Sequence, residues 1–237
     1  MKNIHNIYNN LIKRARDYFK KSRLSKAVIG VSGGIDSALS LRLIVDAIGN
    51  NNVTGLIMPE KNITRKEDIN DAIGFCKSLN VKYKIIEINP ILNQFKKIKI
   101  KQNKNSWINL KPRIRMVILY NYANANNALV VGTSNKTELR LGYFTKYGDG
   151  ACDFEIIGDL YKTEVLELAR YLKLPSNIIN KKPSAGLFKG QSDEKEIGET
   201  YRKIDDMLKG KIKMSERIKK LIEKNKHKTA KIYVIKK

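Results

Sequence analysis

Apolar positions along the chain fall into two periods that alternate with each other. Short apolar runs at 27–31, 53–58, 81–88 and 128–131 have strand length and predict buried strands. Between them, apolar residues recur at three- and four-residue spacing over 36–48, 66–79 and 112–126, which predicts helices. Ile4, Ile7, Tyr8, Leu11, Ile12, Ala15, Tyr18 and Phe19 keep the same spacing and predict an amphipathic N-terminal helix. Alternating strand and helix predicts an α/β fold, a doubly wound parallel sheet with helices on both faces. Ligands of such sheets bind beyond the strand C-terminal ends, where the strand order reverses. The ends of the first and fourth strands, at Val31 and at Gly132-Thr133, are expected to be neighbours across that point.

The pattern weakens after residue 142. The stretch 143–159 is rich in Gly and Asp and reads as loop, and a helix at 162–172 ends at Leu174-Pro175. A second irregular stretch, 181–193, contains Pro183, Gly186 and Gly190; long unstructured segments inside a compact domain are usually functional. Helices at 194–208 and 215–225 follow, then a mobile basic tail after Lys226. No internal repeat is visible. The expected organisation is a single domain over 1–237: an N-terminal helix (1–22), a core (23–175), and a substrate loop with C-terminal helices (176–237).

With 237 residues and 42% hydrophobic content, one core suffices. No apolar run has bilayer length, and Met1-Lys2-Asn3-Ile4-His5-Asn6 lacks a signal-peptide core. Cys76 and Cys152 are too few for a disulfide framework, so a cytoplasmic protein is expected. The net charge of +24 has two readings, a nucleic-acid surface or a general enrichment in lysine. The lysines are dispersed, with the densest groups at 96–101 and 209–213, and aromatics rarely interleave them. We therefore expect neither a nucleic-acid nor a membrane partner.

Residues 28–38 read Val-Ile-Gly-Val-Ser-Gly-Gly-Ile-Asp-Ser-Ala: a strand, a glycine turn and a helix start. Such a turn can aim several backbone N–H groups at one anion, with the helix dipole behind them. Read alone, it could equally be an ordinary turn with Asp36 or Ser37 as helix cap. It has neither the Gly-Lys-Ser/Thr ending of a Walker A loop nor the dinucleotide Gly-x-Gly-x-x-Gly. Ser32-Gly33-Gly34-Ile35-Asp36-Ser37 resembles the pyrophosphate loop of the ATP pyrophosphatases. That resemblance implies the adenine nucleotide alpha hydrolase-like, Rossmann-like fold, and a reaction in which an acceptor is adenylated and pyrophosphate leaves.

Further segments narrow the acceptor. Asn109-Leu110-Lys111-Pro112-Arg113-Ile114-Arg115-Met116, Gly132-Thr133-Ser134-Asn135-Lys136-Thr137-Glu138 and Gly142-Tyr143-Phe144-Thr145-Lys146-Tyr147-Gly148-Asp149-Gly150 stand in this order. They are followed by Asp159-Leu160-Tyr161-Lys162-Thr163, Pro183-Ser184-Ala185-Gly186-Leu187, Gly190-Gln191-Ser192-Asp193-Glu194 and His227-Lys228. Together with the glycine loop, they resemble the ammonia-dependent NAD synthetases from Ala27 to Lys228. The resemblance implies that the nicotinate carboxylate of deamido-NAD attacks the α-phosphate of ATP. Ammonia then displaces AMP from the adenylated intermediate.

It also implies roles. ATP would be held by Gly30, Val31, Ser32, Gly33, Gly34, Ile35, Asp36, Ser37, Thr133, Lys162 and Ser184. Asp36 and Glu138 would hold Mg²⁺, whose usual shell is carboxylate and phosphate oxygen. Arg113, Lys146, Asp153, His227 and Lys228 would contact deamido-NAD. Asp149, Asp153 and Lys162 fall nearest the chemistry; Asp153 would either bond the substrate or orient ammonia, and Asp149 is otherwise a turn residue. Ser184 replaces the family's frequent threonine, Gly148-Asp149-Gly150-Ala151-Cys152-Asp153 replaces Gly-Asp-Gly-Gly-Ala-Asp, and Ile156 stands where proline is usual. The chain has no room for an amidase domain, so free ammonia is the expected nitrogen source, and a homodimer built on the 1–22 and 112–126 helices is expected by analogy. The rivals are a tRNA-modifying ATP pyrophosphatase and a nucleotide sensor without chemistry.

Overall fold

The computed structural model describes residues 4–184, 186–188 and 190–235. Met1, Lys2 and Asn3 of the N-terminal segment, Ala185 of the Pro-Ser-Ala-Gly-Leu segment, Lys189, and Lys236 and Lys237 lie outside the described residues.

The strands are β1 (Lys26–Gly30), β2 (Val53–Ile57), β3 (Lys82–Ile85), β4 (Ala128–Gly132) and β5 (Phe154–Glu155). They form one all-parallel sheet in the order β3-β2-β1-β4-β5. The chain therefore winds outward from β1 in one direction and from β4 in the other. Direct pairing of β1 with β4 (Ile29 opposite Val131) makes the ends of these two strands neighbours, as the apolar pattern predicts.

The helices through the core are α1 (Ile4–Ser22), α2 (Ile35–Ile48), α3 (Lys66–Ser78), α4 (Asn89–Phe95), α5 (Lys104–Asn126), α6 (Lys136–Leu141) and α7 (Lys162–Tyr171). The chain continues through α8 (Ser176–Ile179), α9 (Asp193–Ile197), α10 (Tyr201–Leu208) and α11 (Glu216–Thr229). Side chains alternate across each strand. Ala27, Ile29, Leu129 and Val131 face a core shared with α1, α2, α3 and α7. Val28, Leu56, Ala128 and Val130 face a second core closed by α4 and α5. Helix α2 lies at the centre of the first core, with Leu39, Leu41, Leu43 and Ile44 fully buried. Each such side chain contributes about 1.5–3 kcal/mol, so truncating one would cost a sizeable part of the fold's stability. A third cluster, Leu141, Ile197, Tyr201, Ile204, Met207 and Ile218, packs α6, α10 and α11 together beyond the sheet edge.

Several boundaries differ from the pattern. Helix α5 begins at Lys104 rather than 112, because a capping box between Asn103 and Ser106 starts it a full two turns before Pro112. The 194–208 helix is broken at Gly198, whose φ of 88° closes α9 before α10 begins. The 143–159 loop contains the short β5, and the 81–88 run keeps only four residues as strand. The tail after Lys226 remains helical to Thr229, and the Lys228 ammonium donates to the Gly142 and Phe144 carbonyls at 2.8 Å. No helix among the described residues is long and apolar enough to cross a membrane.

Candidate active site

Helix α2 starts from Gly34 with no side-chain cap. Asp36 is its second residue and not its cap. The first-turn N–H groups of a helix lack intrahelical partners, and here they follow the Ser32-Gly33-Gly34 turn at the end of β1. Ser37 folds back over the turn, its Oγ donating to the Gly34 carbonyl at 3.0 Å and accepting from the Ser32 N–H at 3.2 Å.

Two more helix starts meet this one. Glu138 is the third residue of α6, in a capping box in which Glu138 N–H donates to Asn135 Oδ1 (3.0 Å) and Asn135 N–H to Glu138 Oε2 (3.3 Å). Lys162 is the first residue of α7. Its ammonium donates to Asp36 Oδ2 and lies 3.9 Å from Glu138 Oε1. Asn135 completes the set, its side-chain amide donating to Asp36 Oδ1 at 2.9 Å. Asp36 is thus brought to Glu138 and Lys162 from more than a hundred residues away in the chain.

Electrostatics within the cluster follow from burial. Burial, and next the charge of Asp36, pushes the Glu138 carboxyl well above the usual carboxylate range. For Lys162 burial favours the neutral amine, but Asp36 and Glu138 outweigh it and hold the ammonium above its ordinary value. Tyr201 lies with its ring 5.1 Å from the Lys162 ammonium, and its hydroxyl donates to buried Asp193 at 3.3 Å. Tyr143 donates to the other Asp193 oxygen at 3.3 Å and to Glu196. Burial raises both phenols, helped by Asp193 and Glu196 for Tyr143 and by Glu138, then Asp193 and Asp36, for Tyr201. They remain protonated and serve as donors.

A buried carboxylate that sequence reading passed over, Asp205, ties α6 to α7. It accepts from Thr137 Oγ1 at 2.5 Å and from the Thr163 N–H at 2.8 Å, while Thr137 Oγ1 also receives the Lys162 N–H at 3.0 Å. Nothing in the local pattern marks Asp205. Asn135 did carry a signal, the Asn-x-x-Glu spacing of a capping box.

The other predicted residues lie apart from this cluster. Arg113 donates to the Lys146 carbonyl (3.2 Å), and the Lys146 ammonium to the His227 carbonyl (2.6 Å). With Lys228 they gather around the 142–150 loop, where the Asp149 carboxylate accepts from the Thr145 N–H at 2.9 Å in a local turn. Asp153 is elsewhere: its Oδ2 accepts from the Val130 N–H at 2.7 Å and its carbonyl from the Tyr18 hydroxyl at 2.9 Å. Ser184 is exposed and accepts from Gly186 N–H at 3.2 Å, while Thr133 follows β4 at the crevice. One unpredicted neighbour is Glu155. Its Oε2 accepts from the Ser134 N–H at 2.8 Å, and its buried Oε1 has no hydrogen-bond partner.

An uncapped helix start after a glycine turn, at the reversal of a parallel sheet and facing two carboxylates and a lysine, defines an α/β enzyme that handles nucleotide phosphates. A family model described as NAD synthase matches residues 7–237. The NH(3)-dependent NAD(+) synthetase of Archaeoglobus fulgidus is 47% identical over 93% of this chain and 94% of its own. Among solved structures, an NMN synthetase from Francisella tularensis superposes with a TM-score of 0.93 at 36% identity, covering 99% of both chains. An NH3-dependent NAD synthetase from Campylobacter jejuni gives 0.81 at 37%, covering all of both. The chain belongs to the NAD synthase family.

Proposed function

We propose that the protein makes NAD from deamido-NAD, ATP and free ammonia as a cytoplasmic ligase in the last step of NAD biosynthesis. The observation that carries this reading is the Asp36–Lys162–Glu138 cluster at the uncapped start of α2, in a chain of this family. The first-turn N–H groups of α2 receive the β- and γ-phosphates of ATP, which leaves the α-phosphate open. A nicotinate carboxylate oxygen attacks that phosphorus and the bond to pyrophosphate breaks. Lys162 meets the charge that grows on the departing pyrophosphate, a donor already in place before the transition state. Ammonia then adds to the activated carbonyl, AMP leaves with the electron pair of the C–O bond, and the nitrogen loses a proton to give the amide.

Asp36 and Glu138 fit Mg²⁺. They are hard oxygen donors held near one cation, the Lys162 ammonium, and one or two carboxylates plus substrate phosphates form the ordinary shell of this ion. When bound it would neutralise phosphate charge. The Arg113, Lys146, His227 and Lys228 group offers positive charge to the dinucleotide phosphates, with Asp149 beside it. Asp153, Thr133 and Ser184 keep their assigned roles as proposals. A homodimer is proposed on the α1 and α5 surfaces, where Tyr18 and Val117 expose apolar area.

Purified protein with ATP, Mg²⁺, deamido-NAD and ammonium should yield NAD, AMP and pyrophosphate in equal amounts. ADP as product, or turnover only with tRNA present, would refute the reading. The close superposition on an NMN synthetase favours a second acceptor, nicotinate mononucleotide. Competition between the two acceptors decides it, since the true substrate has the higher kcat/KM.

A further inference from the structure

Lys181 lies outside every role assigned above, yet it is one of the most fully engaged lysines in the fold. Its ammonium donates to the Gly33 carbonyl at 2.8 Å, to Asp68 Oδ1 at 2.8 Å and to Asp71 Oδ2 at 2.5 Å. An ammonium has three donors, and all three are taken. The acceptors come from the pyrophosphate turn and from α3, while Lys181 itself belongs to the segment leading to Ser184. The two carboxylates are held in turn. Arg65 donates twice to Asp68 (2.8 and 2.9 Å), and Asn177 donates to Asp71 at 2.6 Å. Burial works against the Asp68 charge, but Arg65 and Lys181 overcome it and keep this carboxyl below its usual range.

Gly33 is built for this contact. Its φ is +78°, and a Cβ there would strike the Asp68 carbonyl oxygen and lie 3.1 Å from Asp68 Cα. In a trans peptide the carbonyl and the next N–H point in opposite directions. Fixing the Gly33 carbonyl on Lys181 therefore turns the Gly34 N–H to the other side of the turn. There it makes only a long bond, 3.3 Å, to Ser32 Oγ.

We propose that Lys181, clamped by Asp68 and Asp71, is a positioning residue for the pyrophosphate turn: by holding the Gly33 carbonyl away from the phosphates it presents the Gly34 N–H to them. The inference rests on the ATP-pyrophosphatase reading of the turn. With its donors used up, Lys181 acts through the backbone and not as a phosphate contact. The clamp also couples the 181–184 segment to the turn.

The test measures binding of inorganic pyrophosphate with Mg²⁺, and of AMP, to the full chain by calorimetry. Lys181→Met should weaken pyrophosphate about tenfold, the change that about 1.4 kcal/mol of lost binding produces, and leave AMP binding within about twofold. The charge-balanced variant Lys181→Met/Asp71→Asn should remain as weak. Wild-type pyrophosphate affinity in either variant overturns the proposal, and recovery in the balanced one would trace the effect to long-range charge alone. Parallel loss of AMP and pyrophosphate binding also overturns it, since that marks general damage to the fold. If Lys181→Met does not fold, the balanced variant, which leaves one carboxylate fewer unpaired, decides by the same criteria. Wild-type protein that binds pyrophosphate but makes no NAD would refute the acceptor assignment and leave the clamp standing.

Discussion

Replacing Glu155 by Gln should make the protein more stable above neutral pH and change little at pH 5. The Glu155 carboxyl sits at the crevice end of β5, with one oxygen on the Ser134 N–H and the other buried without a partner. Burial pushes its pKa from 4.5 up to about 7, and the bonds from Ser134 and Cys152 only partly restrain the rise. Below pH 4.5 the group is neutral in both the folded and the unfolded chain and has no effect. Between 4.5 and about 7 the unfolded chain gives up its proton first, so stability falls as pH rises. Above that range the loss is constant at about 3 kcal/mol, from about 1.4 kcal/mol per pH unit. Glutamine keeps an acceptor for Ser134 but places an amide N–H where no partner exists, which costs about 1 kcal/mol. The variant should therefore match wild type near pH 5 and exceed it by about 2 kcal/mol at pH 8. For a chain of this size that is a rise of about 4–8 °C in Tm. Scanning calorimetry from pH 5 to 9 reads it directly. A gap that does not change with pH, or a less stable variant at pH 8, would show that Glu155 is not held against ionisation.

Three other substitutions probe the cluster. Lys162→Met should cut AMP formation in a single-turnover quench about 10²–10³-fold, and a loss below tenfold would remove Lys162 from the chemistry. Asn135→Ala removes the α6 cap and the bond to Asp36, so urea unfolding should show a loss of about 1–2 kcal/mol and turnover should fall with it; unchanged stability would contradict the capping geometry. Asp205→Ala leaves the Thr137 hydroxyl and the Thr163 N–H without their acceptor, and should cost about 2–4 kcal/mol with a raised KM for ATP. A neutral outcome there would mean that α6 and α7 hold their places without it.

The buried strands were legible because β1, β2 and β4 are mostly apolar and covered on both faces. β3 was overextended because it lies at the sheet edge and is largely exposed, so its lysine-rich pattern has no sharp end. β5 has only two residues, Phe154 and Glu155, too few for any period to show. The start of α5 was hidden by Pro112, which normally opens a helix and here sits inside one. Asp36, Glu138 and Lys162 could be named because each stands in a recognisable local segment. Asp205 and Lys181 could not, because their partners lie 42 to 148 residues away, and the contact of Tyr201 with Lys162 likewise forms only in the folded chain.

The ammonium of Lys162 between Asp36 and Glu138 gives the site a counterion of its own. On the proposed function, nucleotide binding would be an ion exchange, in which the lysine trades carboxylates for phosphates and the carboxylates are freed for a divalent ion. A divalent ion arriving alone would have to expel an ammonium with nowhere to go. Arriving on ATP, it would bring the lysine's next partner with it, so the metal and the nucleotide would enter as one unit.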